Sequence, residues 1–181
     1  MFGFQSVASQ SIEQLRGIII LGSASSVHDA LPWQSLLRSW LDLALTAQIP
    51  TLGLCFGHQL LAHHFGGEVS YLSADRKKMK GLRVIDFAPD RLWGRAQQGP
   101  LVVSHAEAVI TCPHEFLVSA KSDQVPVEAI SHRSLPLWGI QAHPEATLAF
   151  LANQGIPPPE DPEELVFGHQ IVRAFLQYAV D

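Results

Sequence analysis

Cys55 is the residue of this chain best placed to act as a nucleophile, because it stands between Gly53 and Gly57. The apolar run 49–54 before it is typical of a buried strand, and the run 58–65 after it has helical spacing. A side chain at a sharp strand-to-helix turn points out of the sheet, and small neighbours allow a substrate to come close. A lone cysteine is more often a buried, inert thiol. The flanking glycines favour a reactive thiol here instead.

A general base for this thiol follows a second apolar strand, residues 137–142, where the chain continues with His143, Pro144 and Glu145. A thiol needs a neighbouring base to ionise near neutral pH, and that base needs a partner that fixes its tautomer. Side chains two residues apart in an extended segment point to the same side. We therefore predict a triad of Cys55, His143 and Glu145.

The elements that must position these residues are those of an α/β fold. Residues 18–21 form a β-branched run that ends at Gly22, and residues 33–48 have apolar positions at helical spacing after Pro32. Strand, helix, strand and helix in succession predict a right-handed parallel crossover. Residues 68–130 change to short strand-like runs, which predict antiparallel hairpins beside a mostly parallel sheet. The predicted strands of that region are residues 69–72, 82–87, 101–104, 116–119 and 127–130.

We expect a single domain over residues 1–181, because this length suits one hydrophobic core. The proline-rich residues 155–162 predict a loop. The acid, proline and glutamates that begin at Asp161 are a helix start signal, so a C-terminal helix is expected over residues 163–180. Residues 1–10 are weakly patterned and fit either a short edge strand or a frayed end.

Composition and charge exclude several classes of function. The net charge is -5 and no basic run is longer than residues 76–78, which argues against nucleic-acid binding. No apolar run approaches the ~20 residues of a transmembrane helix, and no signal peptide is recognisable. Two cysteines with no disulfide framework indicate a reducing compartment. We therefore expect a cytoplasmic protein without a membrane partner.

Nine histidines raise the question of a metal site. His58, His63 and His64 lie on one predicted helix, but the H-E-x-x-H spacing is absent. Neither G-x-x-x-x-G-K-[ST] nor G-x-G-x-x-G occurs, so nucleotide binding lacks support. We expect no metal and no other cofactor.

Three segments resemble motifs of the class I, triad-type glutamine amidotransferases, and in particular their GMP-synthetase-like glutaminase domains. Residues 53–61, G-L-C-F-G-H-Q-L-L, resemble the nucleophile motif G-[IL]-C-x-G-x-Q. Residues 139–145, G-I-Q-A-H-P-E, are similar to G-x-Q-x-H-P-E, and residues 103–105, V-S-H, look like the S-H segment. The motifs follow the family's order along the chain.

The resemblance implies a flavodoxin-like, doubly wound fold and hydrolysis of the glutamine side-chain amide. Cys55 would attack the carboxamide, form a γ-glutamyl thioester and release ammonia. His143 would be the general base and acid, and Glu145 would orient it.

The resemblance also implies the residues that hold the substrate. Gln59 and the backbone of Ser104 and His105 would bind glutamine. The N–H groups of Phe56, at the start of the helix after the nucleophile, and of Ser23 would form the oxyanion hole.

The chain departs from the family pattern at two places. Ser23 lies in the segment G-S-A-S-S, residues 22–26, where the family usually has a glycine-rich loop, and a peptide flip to positive φ is harder for serine. Family members also carry a first strand and helix upstream, which we expect to be absent here. A sheet edge exposed by that absence would favour pairing with another chain, including a second copy.

A synthetase half that would consume ammonia is missing from these residues. The expected partners are therefore glutamine or a γ-glutamyl amide as substrate and an ammonia-accepting synthetase as protein partner. One alternative is a truncated, weakly active or inactive family member that serves as a binding or regulatory module. The other is a dienelactone-hydrolase-like cysteine hydrolase, in which an aspartate between Cys55 and His143 would replace Glu145.

Overall fold

A computed structural model describes residues 12–181 of the chain. The strands are β1 (Ile18–Ile20), β2 (Thr51–Leu54), β3 (Glu68–Tyr71), β4 (Met79–Phe87), β5 (Gln97–His105), β6 (Glu107–Thr111), β7 (Phe116–Lys121), β8 (Ala129–His132) and β9 (Leu137–Ile140). The α-helices are α1 (Pro32–Thr46), α2 (Phe56–His64), α3 (Leu148–Gln154) and α4 (Val166–Val180). Short 3-10 helices cover Ile12–Gln14 and Pro162–Leu165.

Seven strands form the main sheet, in the order β1-β2-β9-β8-β7-β4-β5, and β3 pairs with β6 in a separate two-stranded sheet. The pairs β1–β2 and β2–β9 are parallel, and the other neighbours in the main sheet are antiparallel. The predicted α/β fold with an added antiparallel region is confirmed. The antiparallel strands belong to the same sheet as the parallel strands, and within that sheet the antiparallel pairings outnumber the parallel ones.

Helices cover both faces of the parallel strands. On one face, α1 and α2 bury Leu41 and Leu60 against β1. On the other face, Phe175 of α4 packs against Trp138 of β9, and both side chains are almost fully buried. Apolar residues on both faces of a strand are the signature of a parallel sheet sandwiched between helices. The parallel strands are therefore rigid supports for the groups at their carboxyl ends.

Two elements, a strand and a helix, were not predicted, and several boundaries differ, including those of β4, β5, β8 and α2. Strand β6 exists because β3 pairs with it across the chain, a contact that local periodicity does not reveal. Helix α3 has seven residues, with Thr147 Oγ1 accepting the Phe150 N–H at its start and Gly155 at φ 63° closing it. Helix α2 begins at Phe56, directly after Cys55, rather than at residue 58.

The C-terminal helix α4 begins at Val166 rather than at residue 163, after the 3-10 turn for which Asp161 Oδ1 accepts the Glu163 N–H. The predictions for residues 1–10, and for the absence of a first strand and helix, lie outside the described residues and stay predictions. Within residues 12–181, none of the helices combines the length and the apolar character needed to cross a bilayer.

A buried ion pair joins β4 to the residue just before β8. The Arg83 guanidinium in β4 donates to Glu128 Oε1 at 2.9 Å, and both side chains are buried. The Ser122 hydroxyl donates to the same carboxylate oxygen at 2.7 Å. Arg83 also contacts His105 Nε2 at 3.2 Å, so this pair supports the end of β5. Removing one partner of such a pair leaves an uncompensated charge in the interior.

We expect Arg83→Met to lower the free energy of unfolding by about 3–5 kcal/mol, because the Glu128 carboxylate would stay buried without its cation. Urea denaturation of the purified variants measures this loss. Arg95→Met, at an exposed position, is the matched control and should change stability by no more than about 0.5 kcal/mol. Equal effects of the two substitutions would contradict a stabilising role for the buried pair.

Candidate active site

Cys55 lies alone between β2 and α2, in a turn tight enough to give it a left-handed backbone conformation. Its φ is 51° and its ψ is -101°, a combination that residues with a Cβ rarely adopt. The Cys55 N–H donates to Ile140 O at 2.9 Å, and its carbonyl accepts from the Gln59 N–H at 3.0 Å. The neighbouring strand and the following helix therefore hold the turn from both sides. This is the geometry expected of a nucleophile elbow.

The two glycines beside Cys55 permit a close approach of α2 to the parallel strands. A Cβ at position 57 would collide with Ile20 O, and one at position 53 would collide with the Gly57 backbone. Any larger residue would push the helix away from β1 and β2. The two glycines of the motif therefore allow the close packing that directs the Cys55 side chain away from the sheet.

His143 and Glu145 lie in the turn that follows β9. The His143 N–H donates to Val102 O at 2.7 Å, which fixes the backbone against β5. Its Nδ1 lies 2.8 Å from Glu145 Oε1, and its ring also hydrogen-bonds Cys55. Because Nδ1 is engaged by the carboxylate, Nε2 is the nitrogen left for the thiol. The structure therefore brings together the three predicted residues Cys55, His143 and Glu145.

The electrostatics of His143 favour a charged ring. Burial by itself lowers the pKa of His143. The hydrogen bonds of the ring to Cys55 and Glu145 have the larger, opposite effect, and together these influences raise the pKa above its ordinary value, to about 9. The proton is therefore held through neutral pH and is lost as the pH rises past that value. The Phe150 ring packs against the imidazole, with centroids 4.6 Å apart, and limits its exposure to water. An imidazolium beside a thiol sulfur is the arrangement that stabilises a thiolate.

Gln59 faces the same site from the first turns of α2, with its amide engaged by the protein. Its Nε2 donates to Glu107 O at 2.7 Å and to Gln141 Oε1 at 3.2 Å. The fully buried Gln141 side chain comes to 3.9 Å from Cys55 Sγ, so the two glutamines line one side of Cys55. Gln59 is where the sequence predicted it, whereas Gln141 was not proposed as a site residue although it lies within the second motif.

Ser104 and His105 reach the site from the end of β5, and their side chains are bound within the protein. The Ser104 hydroxyl donates to Gln154 Oε1 at 3.0 Å. His105 is neutral, because burial and the nearby Arg83 lower its pKa to about 4. Its Nε2 faces an Arg83 donor at 3.2 Å and its Nδ1 faces Glu107 O at 3.0 Å, which assigns the proton to Nδ1. The backbone of this segment is thereby fixed beside the cavity.

The two predicted oxyanion-hole groups occupy different surroundings. Phe56 opens α2, where helix geometry leaves the first N–H groups without intrahelical partners. Ser23 lies in the loop after β1, with its hydroxyl accepting the Ser25 N–H at 3.1 Å. Ser23 is not one of the residues with positive φ. Both residues are near Cys55 in the fold, one next to it in sequence and the other beside it across a cavity.

Two cavities meet at Cys55. The smaller measures about 300 Å³, and we call it the Gln59 cavity. It is lined by Ser23, Ala24, Ser25, Ser26, Asp29, Cys55, Gln59, Tyr71, Lys78, Ser104, His105, Ala106 and Glu107. Its walls come from the loop after β1, from α2 and from the β5–β6 turn. All three residues predicted to bind substrate, Gln59, Ser104 and His105, border it.

The larger cavity measures about 420 Å³, and we call it the His143 cavity. It is lined by Leu21, Gly22, Ser23, Ala24, Cys55, Lys78, Ser104, His143, Glu145, Phe150 and Gln154. Lys78 and Phe150 were not identified from the sequence. Phe150 belongs to the unpredicted helix α3, and Lys78 is one cation of an ordinary basic run, so no local pattern marked either of them.

The metal and hydrolase alternatives find no support at this site. Residues 12–181 contain no group of three or more His, Cys, Asp or Glu side chains arranged to hold a metal ion. Burial lowers the pKa of His58 to about 3, so this histidine is a neutral core residue. The carboxylate on His143 Nδ1 is that of Glu145, and not of an aspartate between Cys55 and His143 as the dienelactone-hydrolase-like alternative requires.

Comparisons with known proteins identify the family of this chain. Residues 3–153 match the family "Glutamine amidotransferase class-I". A subunit of the glutamine-hydrolyzing GMP synthase from Methanocaldococcus jannaschii is 32% identical over 145 residues, which cover 80% of this chain and 72% of that protein. The corresponding subunit from Methanopyrus kandleri is 38% identical over 108 residues, or 56% of this chain and 54% of that protein. The second match thus spans about half the length of the relative.

A solved glutamine amidotransferase from Thermotoga maritima superposes on 96% of this chain and 81% of its own, with a TM-score of 0.76 and 17% sequence identity. At that identity the likeness concerns the fold. The family match extends over most of the sequence and includes the turn around Cys55. The chain therefore belongs to the class I glutamine amidotransferases and is GMP-synthetase-like.

Proposed function

We propose that the chain hydrolyses the side-chain amide of glutamine, or of a related γ-glutamyl amide, through a thioester on Cys55. The observation that carries this proposal is the buried imidazole of His143, which bonds Glu145 through Nδ1 and also hydrogen-bonds Cys55, beside a cavity of about 300 Å³. A cavity of this size is adequate for a glutamyl group. Family membership supports the reaction class.

In the acylation step, the Cys55 thiolate attacks the side-chain carbonyl carbon and a C–S bond forms. The oxygen of the tetrahedral intermediate accepts hydrogen bonds from the N–H groups of Phe56 and Ser23. The His143 imidazolium then donates its proton to the amide nitrogen as the C–N bond breaks. Ammonia leaves, and the γ-glutamyl thioester remains on Cys55.

In the deacylation step, neutral His143 takes a proton from a water molecule that attacks the thioester carbonyl. The C–S bond breaks, glutamate is released, and the thiolate and imidazolium are restored. Glu145 stabilises the charged ring in both steps and keeps Nε2 directed toward the sulfur. Gln59 and the backbone of Ser104 and His105 hold the glutamyl group. Every step uses groups of this chain and water.

The relatives named as subunits of a glutamine-hydrolyzing GMP synthase suggest how the ammonia is used. We propose that a separate synthetase chain accepts it. Residues 1–181 would act as one amidotransferase domain, in the cytoplasm, where the two free cysteines Cys55 and Cys112 stay reduced.

Cys55→Ala should reduce the steady-state release of ammonia from glutamine by about 10³-fold or more, because the covalent route is lost. Cys112→Ala is the matched control, since this second thiol is half-buried and lies apart from both cavities. It should retain activity within about twofold. A diazoketone analogue of glutamine should label the wild-type chain once, at Cys55, as measured by mass spectrometry.

Turnover retained by Cys55→Ala would refute the thioester mechanism. A wild-type chain that neither releases ammonia nor reacts with the diazoketone would favour the alternative of a binding or regulatory module.

The dependence of kcat/KM on pH should show an alkaline limit near the His143 pKa of about 9, because the imidazolium that protonates the leaving nitrogen is lost above it. Glu145→Gln removes a carboxylate that raises this pKa, so its alkaline limit should move about 1–2 units lower. The exposed Glu160→Gln variant is the charge-matched control and should follow the wild-type profile. Identical profiles for wild type and Glu145→Gln would contradict the proposed role of Glu145.

A further inference from the structure

The His143 cavity is larger than the release of ammonia requires. An ammonia molecule is about the size of water, which takes up ~30 Å³ in the liquid. The cavity measures about 420 Å³ and opens directly beside Cys55 and His143. Its volume therefore accommodates an occupant larger than ammonia.

The side of Cys55 on which this cavity lies is the side of the leaving group. His143 must donate a proton to the departing nitrogen, so that nitrogen has to lie within hydrogen-bond reach of the ring. His143 lines the larger cavity and is not among the residues that line the Gln59 cavity. With the glutamyl group in the Gln59 cavity, any substituent on the amide nitrogen points into the His143 cavity.

The wall of the His143 cavity combines apolar surface with one uncommitted cation. Leu21, which is 57% exposed, and Phe150 supply the apolar part. Lys78 Nζ reaches only Gln154 Oε1, at 3.5 Å, and forms no ion pair within residues 12–181. Glu145, the one acidic residue of the lining, is bonded to His143. The charge left free in the cavity is therefore positive.

This wall is fixed before any ligand arrives. Gln154 accepts from the Ser104 hydroxyl at 3.0 Å through its side chain and from Lys80 Nζ at 2.7 Å through its backbone carbonyl. These bonds hold the end of α3 against β4 and β5. At the other end of α3, the Thr147 cap and the contact with the imidazole position Phe150. A pocket held in this way loses little conformational entropy on binding.

We infer that the substrates include γ-glutamyl amides whose leaving amine carries a carboxylate, which are γ-glutamyl amino acids. Lys78 binds the carboxylate of the departing amino acid, and the side chain of that amino acid lies against Leu21 and Phe150. The inference rests on the proposed thioester mechanism and specifies its leaving group. The Lys78 ammonium and the substrate carboxylate form a charge-assisted hydrogen bond that plain glutamine does not offer on this side.

The reaction balances without a further reactant. The Cys55 thiolate forms a C–S bond with the γ-carbonyl carbon, the amide C–N bond breaks, and the proton of the His143 imidazolium moves to the departing nitrogen. Water then cleaves the thioester and returns its proton to His143. One γ-glutamyl amino acid and one water give glutamate and a free amino acid.

Three substrates with the same γ-glutamyl group test the inference, namely glutamine, γ-glutamylethylamide and γ-glutamylleucine. We expect kcat/KM for γ-glutamylleucine to exceed that for γ-glutamylethylamide by about tenfold or more in the wild-type chain. Lys78→Met should remove most of that preference. Lys78 also borders the Gln59 cavity, so its substitution can affect binding of the glutamyl group that both substrates share. The readout is therefore the ratio of kcat/KM for γ-glutamylleucine to kcat/KM for γ-glutamylethylamide, in which such shared effects cancel.

Lys77→Met is the matched control, because Lys77 is 83% exposed, pairs with Asp75 and lines neither cavity. It should leave the ratio within about twofold of wild type. Lys78→Glu, a charge reversal at an exposed position, should invert the preference toward a γ-glutamyl diamine, whose leaving group is cationic. Release of the leaving amine is followed by mass spectrometry.

Each outcome bears on the inference separately from the proposed function. Hydrolysis of glutamine without hydrolysis of γ-glutamylleucine would overturn the inference and leave the thioester mechanism standing. Hydrolysis of γ-glutamylleucine with an unchanged substrate ratio in both Lys78 variants would overturn the assignment of Lys78. Hydrolysis of none of the three substrates would overturn both proposals.

Discussion

The hydrogen bond from the His143 N–H to Val102 O is the constraint on which the arrangement of the site depends. β5 is the last strand of the main sheet and β9 lies four positions away, next to the nucleophile strand. A backbone bridge between β5 and the segment after β9 requires the sheet to curl back on itself. The curl places the antiparallel hairpins opposite the parallel strands, so that each half contributes one wall of the space around Cys55. Neither half would enclose that space alone.

A buried chain of polar contacts connects the two walls. It runs from Glu128 through Arg83 to His105 and then to Glu107 O, which also receives the Gln59 amide. Each link uses a donor and an acceptor that would be costly to bury unpaired. The substrate side of the site is therefore tied to the stability of the antiparallel half of the sheet. Burial and the Arg83 charge of this network keep the pKa of His105 low, whereas the contacts of His143 with Cys55 and Glu145 raise its pKa.

The sequence anticipated the parts of the structure that depend on local spacing. The β-branched run at residues 18–21, the amphipathic run after Pro32 and the glycines around Cys55 each specify an element or a turn through short-range physics. His143 and Glu145 were also predictable, because two residues apart in an extended segment is a local relationship. Strand β6 and helix α3 were missed, since one is defined by pairing with β3 and the other is only seven residues long.

Long-range features could not be obtained from one sequence. The curl of the sheet depends on a bridge between residues 102 and 143, and the low pKa of His105 depends on burial and on Arg83, twenty-two positions earlier. Lys78 borders both cavities because the fold places it opposite the loop after β1 and, in the larger cavity, beside α3. Periodicity carries no information about such pairs. In this fold, contacts between residues far apart in sequence set the charge states in the site, whereas local sequence patterns set where the site lies.

The two cavities that meet at Cys55 are shaped largely by different segments of the chain. The smaller uses Gln59 and the β5–β6 turn, and the larger uses Leu21 and α3. Changes in α3 at positions other than Gln154, which bonds Ser104, can therefore alter the space beside His143 without changing the walls around Gln59. A short helix with a simple cap at each end also tolerates replacement more readily than a core strand does. At those positions, α3 is a place where substitutions would reshape the His143 cavity while the Gln59 cavity keeps its walls.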